Sequence, residues 1–288
     1  MMCWGKVGLL ALGIALPLAG QWCEVGRAAA LNSAADDFAP VWDRWRGYLL
    51  LSSTRQGESR IYRVAWQDTN WGTPQPLLSV SGHHLSYAAP LPTGNLYVCR
   101  YRLGRRQAYL HIVEAVPEVN GQWRWQELPA LEAEEAFTMH PTVSPDGRVL
   151  IFASTRASGR GGTDLWICYR QGDGSWSVPQ NLRELNSPGN EITPHLAAAD
   201  TLYFASNGHG GAGGYDLFIS VRGWDGRWSD PEPLVGLNTA ADESDFCLLP
   251  GSHKALFVRG TGVGTLDIFT AQRCLSLPVL PSQDALPR

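Results

Sequence analysis

Leu31-Asn-Ser-Ala-Ala-Asp-Asp-Phe-Ala-Pro40 recurs in this chain, with small changes, as Leu185-Asn-Ser-Pro-Gly-Asn-Glu-Ile-Thr-Pro194 and as Leu237-Asn-Thr-Ala-Ala-Asp-Glu-Ser-Asp-Phe246. The last two copies begin 52 residues apart, at positions 185 and 237. The same spacing relates Phe152 to Phe204, Asp164 to Asp216 and Trp176 to Trp228. A period of about 50 residues, filled with short apolar runs, is typical of a sheet repeated around an axis.

Each repeat can be divided into a loop and four short strands, which we call a to d from the axis to the rim. Strand b is an apolar run bounded by turn residues, as at Leu150–Ser154, and strand c follows it, as at Asp164–Cys168. A tryptophan six residues before a leucine marks strand d, at Trp71/Leu77, Trp125/Leu131, Trp176/Leu182 and Trp228/Leu234. Nearby prolines place strand d at an edge, because proline cannot donate to a ladder.

Five such units are predicted. Their bounds are residues 31–77, 78–130, 131–184, 185–236 and 237–280. We therefore expect an all-β fold, a five-bladed β-propeller of four-stranded antiparallel blades. The fifth unit lacks the strand d tryptophan. Either residues 275–280 or the N-terminus of the mature protein could complete it. Residues 281–288 are expected to be disordered.

The N-terminal segment differs from the repeats. Lys6 is its first basic residue and precedes an apolar run from Val7 to about Gly20, and Ala28-Ala-Ala30 follows. This pattern predicts a signal peptide over residues 1–30, a mature protein that begins at Leu31, and a periplasmic or secreted location. The run is short for a membrane span, so none is expected after cleavage. Trp22 directly before Cys23 disfavours a lipid anchor.

The composition limits the partners. The net charge is −4, and without a basic excess we expect no nucleic-acid partner. Four cysteines follow the predicted cleavage site: Cys99, Cys168, Cys247 and Cys274. Cys99 and Cys168 align with alanine or serine of other repeats, which favours buried thiols over disulfides for this set.

Units three and four carry a resemblance to a known family. It rests on Pro-x-x-Ser-Pro-Asp-Gly (Pro141 to Gly147), Gly-Gly-x-Asp-Leu (Gly161 to Leu165) and Trp-Ser-x-Pro-x-Asn-Leu (Trp176 to Leu182). These segments resemble the WD-repeat-like blades of TolB-type periplasmic proteins, without an OmpA-type domain. The resemblance implies a non-catalytic propeller in the cell envelope that binds a protein or peptide. We expect a monomer without a cofactor.

Three arginines, Arg55, Arg102 and Arg156, align at the end of strand b. In a propeller they would lie on one face with the loop acids, which are Asp37, Glu135, Glu191 and Glu243. Arginine suits both an ion pair within the chain and a carboxylate of a partner, so both roles stay open. Strand c begins at Asp164, Asp216 and Asp267, whose carboxylates could cap backbone amides or bind a ligand. A calcium ring of loop acids lacks the usual ligand pattern.

The same sequence also offers residues for other functions. A glycoside hydrolase needs two carboxyl groups about 5 to 10 Å apart, and Asp43, Glu191, His195 and Asp245 are candidates near the channel. A lectin-like site could use the repeated tryptophans, although these more commonly clamp the blades. The glycines of residues 208–214 match a dinucleotide motif but precede a strand. The histidine spacing predicts no metal site.

Overall fold

Five four-stranded antiparallel sheets follow one another along the chain in the computed structural model, which describes residues 21–67, 70–103, 108–260 and 265–274. The first strand of each sheet contacts the first strand of both neighbouring sheets, so the five form a closed ring around a central axis. The predicted all-β, five-bladed propeller is confirmed.

The strands of each blade are given from the axis to the rim. Blade 1 contains Asp37–Asp43, Tyr48–Ser53, Arg60–Gln67 and Gln75–Leu78, with a short strand Asn70–Trp71 also paired to its third strand. Blade 2 contains His84–Pro90, Leu96–Leu103, Ala108–Pro117 and Trp123–Glu127. Blade 3 contains Thr138–Val143, Val149–Ser154, Asp164–Tyr169 and Gln180–Asn181. Blade 4 contains Glu191–Ala198, Thr201–Ser206, Asp216–Val221 and Glu232–Pro233. Blade 5 contains Glu243–Leu248, Lys254–Gly260, Leu266–Arg273 and Trp22–Arg27. One 3-10 turn spans Pro129–Leu131.

Strand b is apolar on both faces because it is covered on both faces by the adjacent blades. Leu50, Phe152 and Phe204, for example, are fully buried. The apolar side chains form five clusters, one between each pair of neighbouring blades. Each cluster receives a tryptophan from the rim segment of one of its two blades, either on strand d or just before it. These tryptophans are Trp71, Trp125, Trp176, Trp228 and Trp22.

The N-terminal strand Trp22–Arg27 corrects the predicted start of the propeller at Leu31. It pairs antiparallel with Leu266–Arg273 and supplies the rim strand of blade 5. Trp22 is 2% exposed and meets the Phe246 ring at 5.3 Å, so it takes the place of the tryptophan that the fifth unit lacks. Cleavage after Ala30 would remove this strand. Residues 1–20, 275–280 and 281–288 lie outside the described residues.

A disulfide between Cys23 and Cys274 fastens this strand to its neighbour. The expectation of a free thiol was wrong for Cys274, because its partner Cys23 had been assigned to the cleaved segment. The other three cysteines, Cys99, Cys168 and Cys247, are free and buried as predicted.

Two ion pairs add to the closure: Arg27 Nη2 lies 2.6 Å from Asp267, and Arg259 Nη1 lies 2.7 Å from Glu24. The two ends of the ring are therefore joined by strand pairing, by a disulfide and by two ion pairs. Within the described ranges, no helix has the length and apolar character that a membrane crossing requires.

Candidate functional site

The innermost strand of every blade is interrupted by the same irregularity. One non-glycine residue per blade adopts a positive φ of 48° to 54°, where the pairing register shifts. These residues are Ala39, Tyr87, His140, Thr193 and Asp245. A left-handed backbone costs an ordinary residue roughly 1 to 2 kcal/mol, so a β-bulge repeated in every blade must be held by other contacts.

Those contacts are a ring of hydrogen bonds around the axis. The backbone N–H of each bulge residue donates to a side chain of the preceding blade. The donor and acceptor pairs are Thr193 to His140 Nδ1 (3.3 Å), Asp245 to Thr193 Oγ1 (3.2 Å), Ala39 to Asp245 Oδ2 (3.0 Å), Tyr87 to Ser52 Oγ (3.0 Å) and His140 to Cys99 Sγ (3.1 Å). The bulges therefore lock each blade to the one before it.

The ring surrounds a cavity of about 70 Å³, room for a few water molecules. Asp245 is the carboxylic acid of this cavity and is 5% exposed. Its Oδ1 atom is buried without a hydrogen-bond partner among the described residues. Burial raises the pKa of Asp245 to about 7, against the opposing effect of the Ala39 N–H and of the Thr193 and Ser244 side chains.

Two histidines line the same cavity. Burial lowers the pKa of His140 to about 3, and burial followed by the charge of Arg44 lowers the pKa of His195 to about 4. The position of His195 at the channel is as predicted. Both imidazoles are neutral near pH 7 and accept backbone N–H groups, His195 Nε2 from Leu248 at 3.2 Å. Among the described residues, no three His, Cys, Asp or Glu side chains come together in a way that could hold a metal ion.

The repeated sequence that opens the blades works as a latch, which we define as residues 31–37, 185–191 and 237–243. Its asparagine pairs with the backbone of strand c in the preceding blade. Asn186 accepts from the Leu165 N–H at 2.8 Å and donates to the Leu165 carbonyl at 3.0 Å. Asn238 bonds Leu217 and Asn32 bonds Ile268 in the same way.

The serine or threonine and the acid of the latch bind each other. Glu191 accepts hydrogen bonds from the Ser187 N–H at 2.9 Å, from Ser187 Oγ at 2.5 Å and from Ser206 Oγ at 2.7 Å. Glu243 does the same with Thr239 and also pairs with Arg259 at 2.6 Å. Both carboxylates are fully buried. Their contacts make them parts of the latch, and the predicted binding role stays a prediction.

The three predicted arginines separate into two kinds. Arg55 pairs with Asp37 at 2.5 Å and donates to the Leu31 carbonyl at 2.7 Å. Arg156 donates to the Leu131 carbonyl at 2.6 Å. Both guanidinium groups therefore hold loops of their own blades. Arg102 is exposed and has no ion pair within the described part of the chain. Its predicted binding role stays a prediction.

Glu135 does not occupy the position to which the sequence alignment assigned it. Strand a of blade 3 begins at Thr138, which takes the place of the latch acid, while Glu135 is exposed in the preceding loop. Blade 3 lacks the latch sequence, so the spacing of the repeat does not locate this position.

The acids at the start of strand c cap or anchor the preceding segments. Asp164 accepts from the Arg160 N–H and from the Gly161 N–H at 2.9 Å, and Asp216 accepts from Gly213 at 3.1 Å. The glycines are needed because a Cβ at Gly161 or Gly213 would strike the backbone of the following latch loop. Asp267 instead pairs with Arg27. These contacts match the capping alternative for the first two acids.

The residues that were candidates for a glycoside hydrolase site do not lie together at the channel. Asp43 caps the hairpin between strands a and b through the Trp45 and Arg46 N–H groups, both at 3.1 Å, and pairs with the Arg46 side chain at 2.6 Å. Glu191 is bonded inside its latch. Asp245 and His195 are left in the channel, and together they supply one carboxyl group.

A tryptophan groove opens on the opposite face from the latches, between blades 1 and 5. Its volume is about 420 Å³. Its lining residues are Trp42, Trp66, Trp71, Leu249, Pro250, His253 and Lys254. The Trp66 and Trp71 rings meet edge to face at 4.6 Å, and Trp66 is 41% exposed. The repeat pattern predicts a blade clamp at Trp71 and does not indicate the groove, because Leu249 lies far from Trp66 in the chain.

Comparisons with known proteins identify the fold. No protein-family model and no curated protein matches the chain. The structure is similar to TolB from Acinetobacter baumannii, with 17% identity, a TM-score of 0.53, and coverage of 84% of this chain and 55% of that one. It is also similar to an endo-arabinase from Bacteroides thetaiotaomicron, with 11% identity, a TM-score of 0.56 and coverage of 88% and 98%.

A gluconolactonase from Xanthomonas campestris is a third similar structure, with 11% identity, a TM-score of 0.52 and coverage of 84% and 87%. The chain thus spans about half the length of the TolB protein that it matches. At these identities the similarities show the propeller fold alone.

Proposed function

We propose that this chain is an exported, non-catalytic propeller that binds a protein or peptide in the bacterial cell envelope. The observation that carries the proposal is that the recurring polar side chains form hydrogen bonds and ion pairs within the ring. Glu191, Glu243, Arg55 and Arg156 each bond a loop of their own blade. A rigid disc with its reactive groups engaged internally is suited to presenting a surface.

Export is supported by the disulfide between Cys23 and Cys274, since disulfides persist in oxidising compartments. The leader then has to end before Trp22 for the rim strand of blade 5 to be retained. Sequencing the N-terminus of the mature protein tests this. A first residue at or before Trp22 supports the proposal, and a first residue at Leu31 contradicts it.

The binding surface is tested by in-cell crosslinking, identification of the crosslinked protein by mass spectrometry, and titration of the purified pair. Arg102→Glu is the informative variant because this arginine is exposed on the face of the latches. Arg124→Glu, a charge reversal on the rim of the same blade, is the matched control. A tenfold or larger loss of affinity for Arg102→Glu alone supports the predicted face, and equal affinities for both variants remove it.

A carbohydrate-active enzyme is the second candidate, favoured by Asp245. Its raised pKa of about 7 in the channel is typical of a general acid, and hydrolases are among the similar structures. Release of reducing sugar from arabinan by the wild-type protein, abolished by Asp245→Asn, would establish this function in place of the first.

A further inference from the structure

The tryptophan groove is an exposed apolar feature of the described residues that the proposed function leaves without a role. Trp66 stands 41% exposed at its centre, and Leu249 and Pro250 form the opposite wall. Exposed grooves of this kind, lined by several aromatic rings, commonly bind extended proline-containing segments, because the pyrrolidine ring packs flat on an indole.

The described chain leaves the fold beside this groove. Arg273, near the end of strand c of blade 5, donates its N–H to the His253 carbonyl at 2.9 Å. Lys254 pairs with Gln272 in the same sheet. His253 and Lys254 are themselves lining residues of the groove. Cys274 is then fixed by its disulfide to Cys23 and by its N–H to the Gln21 carbonyl at 2.8 Å.

The next seven residues have the composition that the groove would accept. Leu275-Ser-Leu-Pro-Val-Leu-Pro281 has no charge, three leucines, one valine and two prolines. An extended chain covers about 3.3 Å per residue, so this segment reaches roughly 23 Å from Cys274. The wall of the groove that blade 5 supplies lies within that reach, because Arg273, the residue before Cys274, bonds His253 of this wall.

We propose that the tryptophan groove is a binding site for an apolar, proline-containing peptide, and that its occupant is residues 275–281 of the same chain. The segment would cover Trp66 and add a second tie between blade 5 and blade 1. The proposal concerns a contact within the chain and goes beyond the function proposed above, since it stands whether or not a partner protein binds.

The test uses a protein truncated after Cys274, which retains the disulfide, and a fluorescently labelled peptide of residues 275–281. Anisotropy titration is expected to show that the truncated protein binds the peptide at least tenfold more tightly than the full chain does. Equal binding by the two proteins, or binding by neither, overturns the proposal.

Two matched controls locate the site. Trp66→Ala in the truncated protein is expected to weaken peptide binding at least tenfold. Trp224→Ala, at an exposed tryptophan on blade 4, is expected to leave it unchanged. A peptide with Pro278→Ser and Pro281→Ser is expected to bind more weakly than the native one. Equal effects of the two tryptophan variants would place the peptide elsewhere and contradict the proposal.

The alternative occupant is the same segment of a second copy. Sedimentation of the full chain distinguishes the two. A monomer at the concentration of the titration supports the contact within one chain. A dimer that truncation converts to a monomer overturns it in favour of exchange between copies.

Discussion

Three of the five junctions between blades carry the latch, and two do not. The latched junctions lie between blades 3 and 4, 4 and 5, and 5 and 1, where an asparagine bonds the backbone of the preceding strand c. At these same junctions the acceptor in the axial ring is the bulge side chain itself. At the other two the acceptor comes from strand b, as Ser52 or Cys99.

The consequence is visible between blades 2 and 3. There the latch is missing, and a cavity of about 640 Å³ opens between Arg100 and Glu127 of blade 2 and the loop that contains Glu132 and Phe137. The groove at the latched junction of blades 5 and 1 opens on the opposite face instead. The comparison indicates that the latch fills the face of the loops at the junctions that carry it. Blade 2 is also the blade whose sequence matches the repeat least.

The largest expected effect is at the latched junction that also closes the ring. Replacing Cys23 and Cys274 by serine opens a loop of 251 residues. The chain-entropy treatment of cross-links then predicts a loss of about 5.5 kcal/mol in the free energy of unfolding. Urea unfolding with and without a reductant measures it. The variant should resemble the reduced wild type, and unchanged midpoints would show that the strand is held without the disulfide.

Asp245 makes the same junction sensitive to pH. Its pKa in the folded protein, about 7, lies above the usual value near 4, so the neutral form stabilises the fold and this stability is lost as the pH rises from 4 to 7. Asp245→Asn should match the wild type near pH 4 and exceed its stability above pH 7, by up to roughly 4 kcal/mol.

Thermal unfolding of both proteins across this range tests the prediction. The buried histidines act in the opposite direction, since their lowered pKa values remove stability as the pH falls below 6.5. They are common to both proteins, so the difference between the two curves isolates Asp245. A constant difference would refute the assigned cause.

Removing one latch asparagine should convert a closed junction into an open one. Asn186→Ala removes the side-chain acceptor of the buried Leu165 N–H and one of the two donors to the Leu165 carbonyl, which keeps the Leu182 N–H, at a cost of about 2 kcal/mol. Asn207→Ala, which removes only hydrogen bonds near the surface, is the control and should cost less than about 1 kcal/mol. Chemical denaturation gives the loss in the free energy of unfolding for both variants. Equal losses would contradict the role of Asn186 in holding the preceding blade.

A comparably small difference in stability is expected between variants of Glu191 and Glu135, two acids to which the repeat pattern assigns the same position. Glu191→Gln loses acceptor capacity toward Ser187 and Ser206 and should destabilise the fold by about 2 kcal/mol. Glu135→Gln changes an exposed carboxylate at an unlatched junction and should stay within about 0.5 kcal/mol. Differential scanning calorimetry ranks the pair; a reversed order would contradict the structural assignment of the acid position to Thr138.

Much of the fold could be predicted because short apolar strands recur at a fixed period. The N-terminal strand was missed, although its signal is present in the sequence. Trp22 lies nine residues before Leu31, as Trp176 lies before Leu185 and Trp228 before Leu237. The apolar leader and the Ala-x-Ala site instead favour a signal peptide that includes Trp22. The roles of Arg55 and Arg156 could not be predicted, because a sequence does not show whether a guanidinium group contacts its own blade or faces solvent.

The sequence by itself determined the number of blades, the order of their strands and the burial of strand b, since these follow from local periodicity and from the need to cover apolar faces. Only the tertiary structure decided how the circle closes, which carboxyl group lies in the channel and which tryptophans share a groove. The closure, the place of Asp245 and the second wall of the groove depend on contacts between residues more than 170 positions apart, such as Ala39 with Asp245 and Cys23 with Cys274. No local sequence pattern predicts contacts between residues so far apart, because these contacts form only when the ring closes.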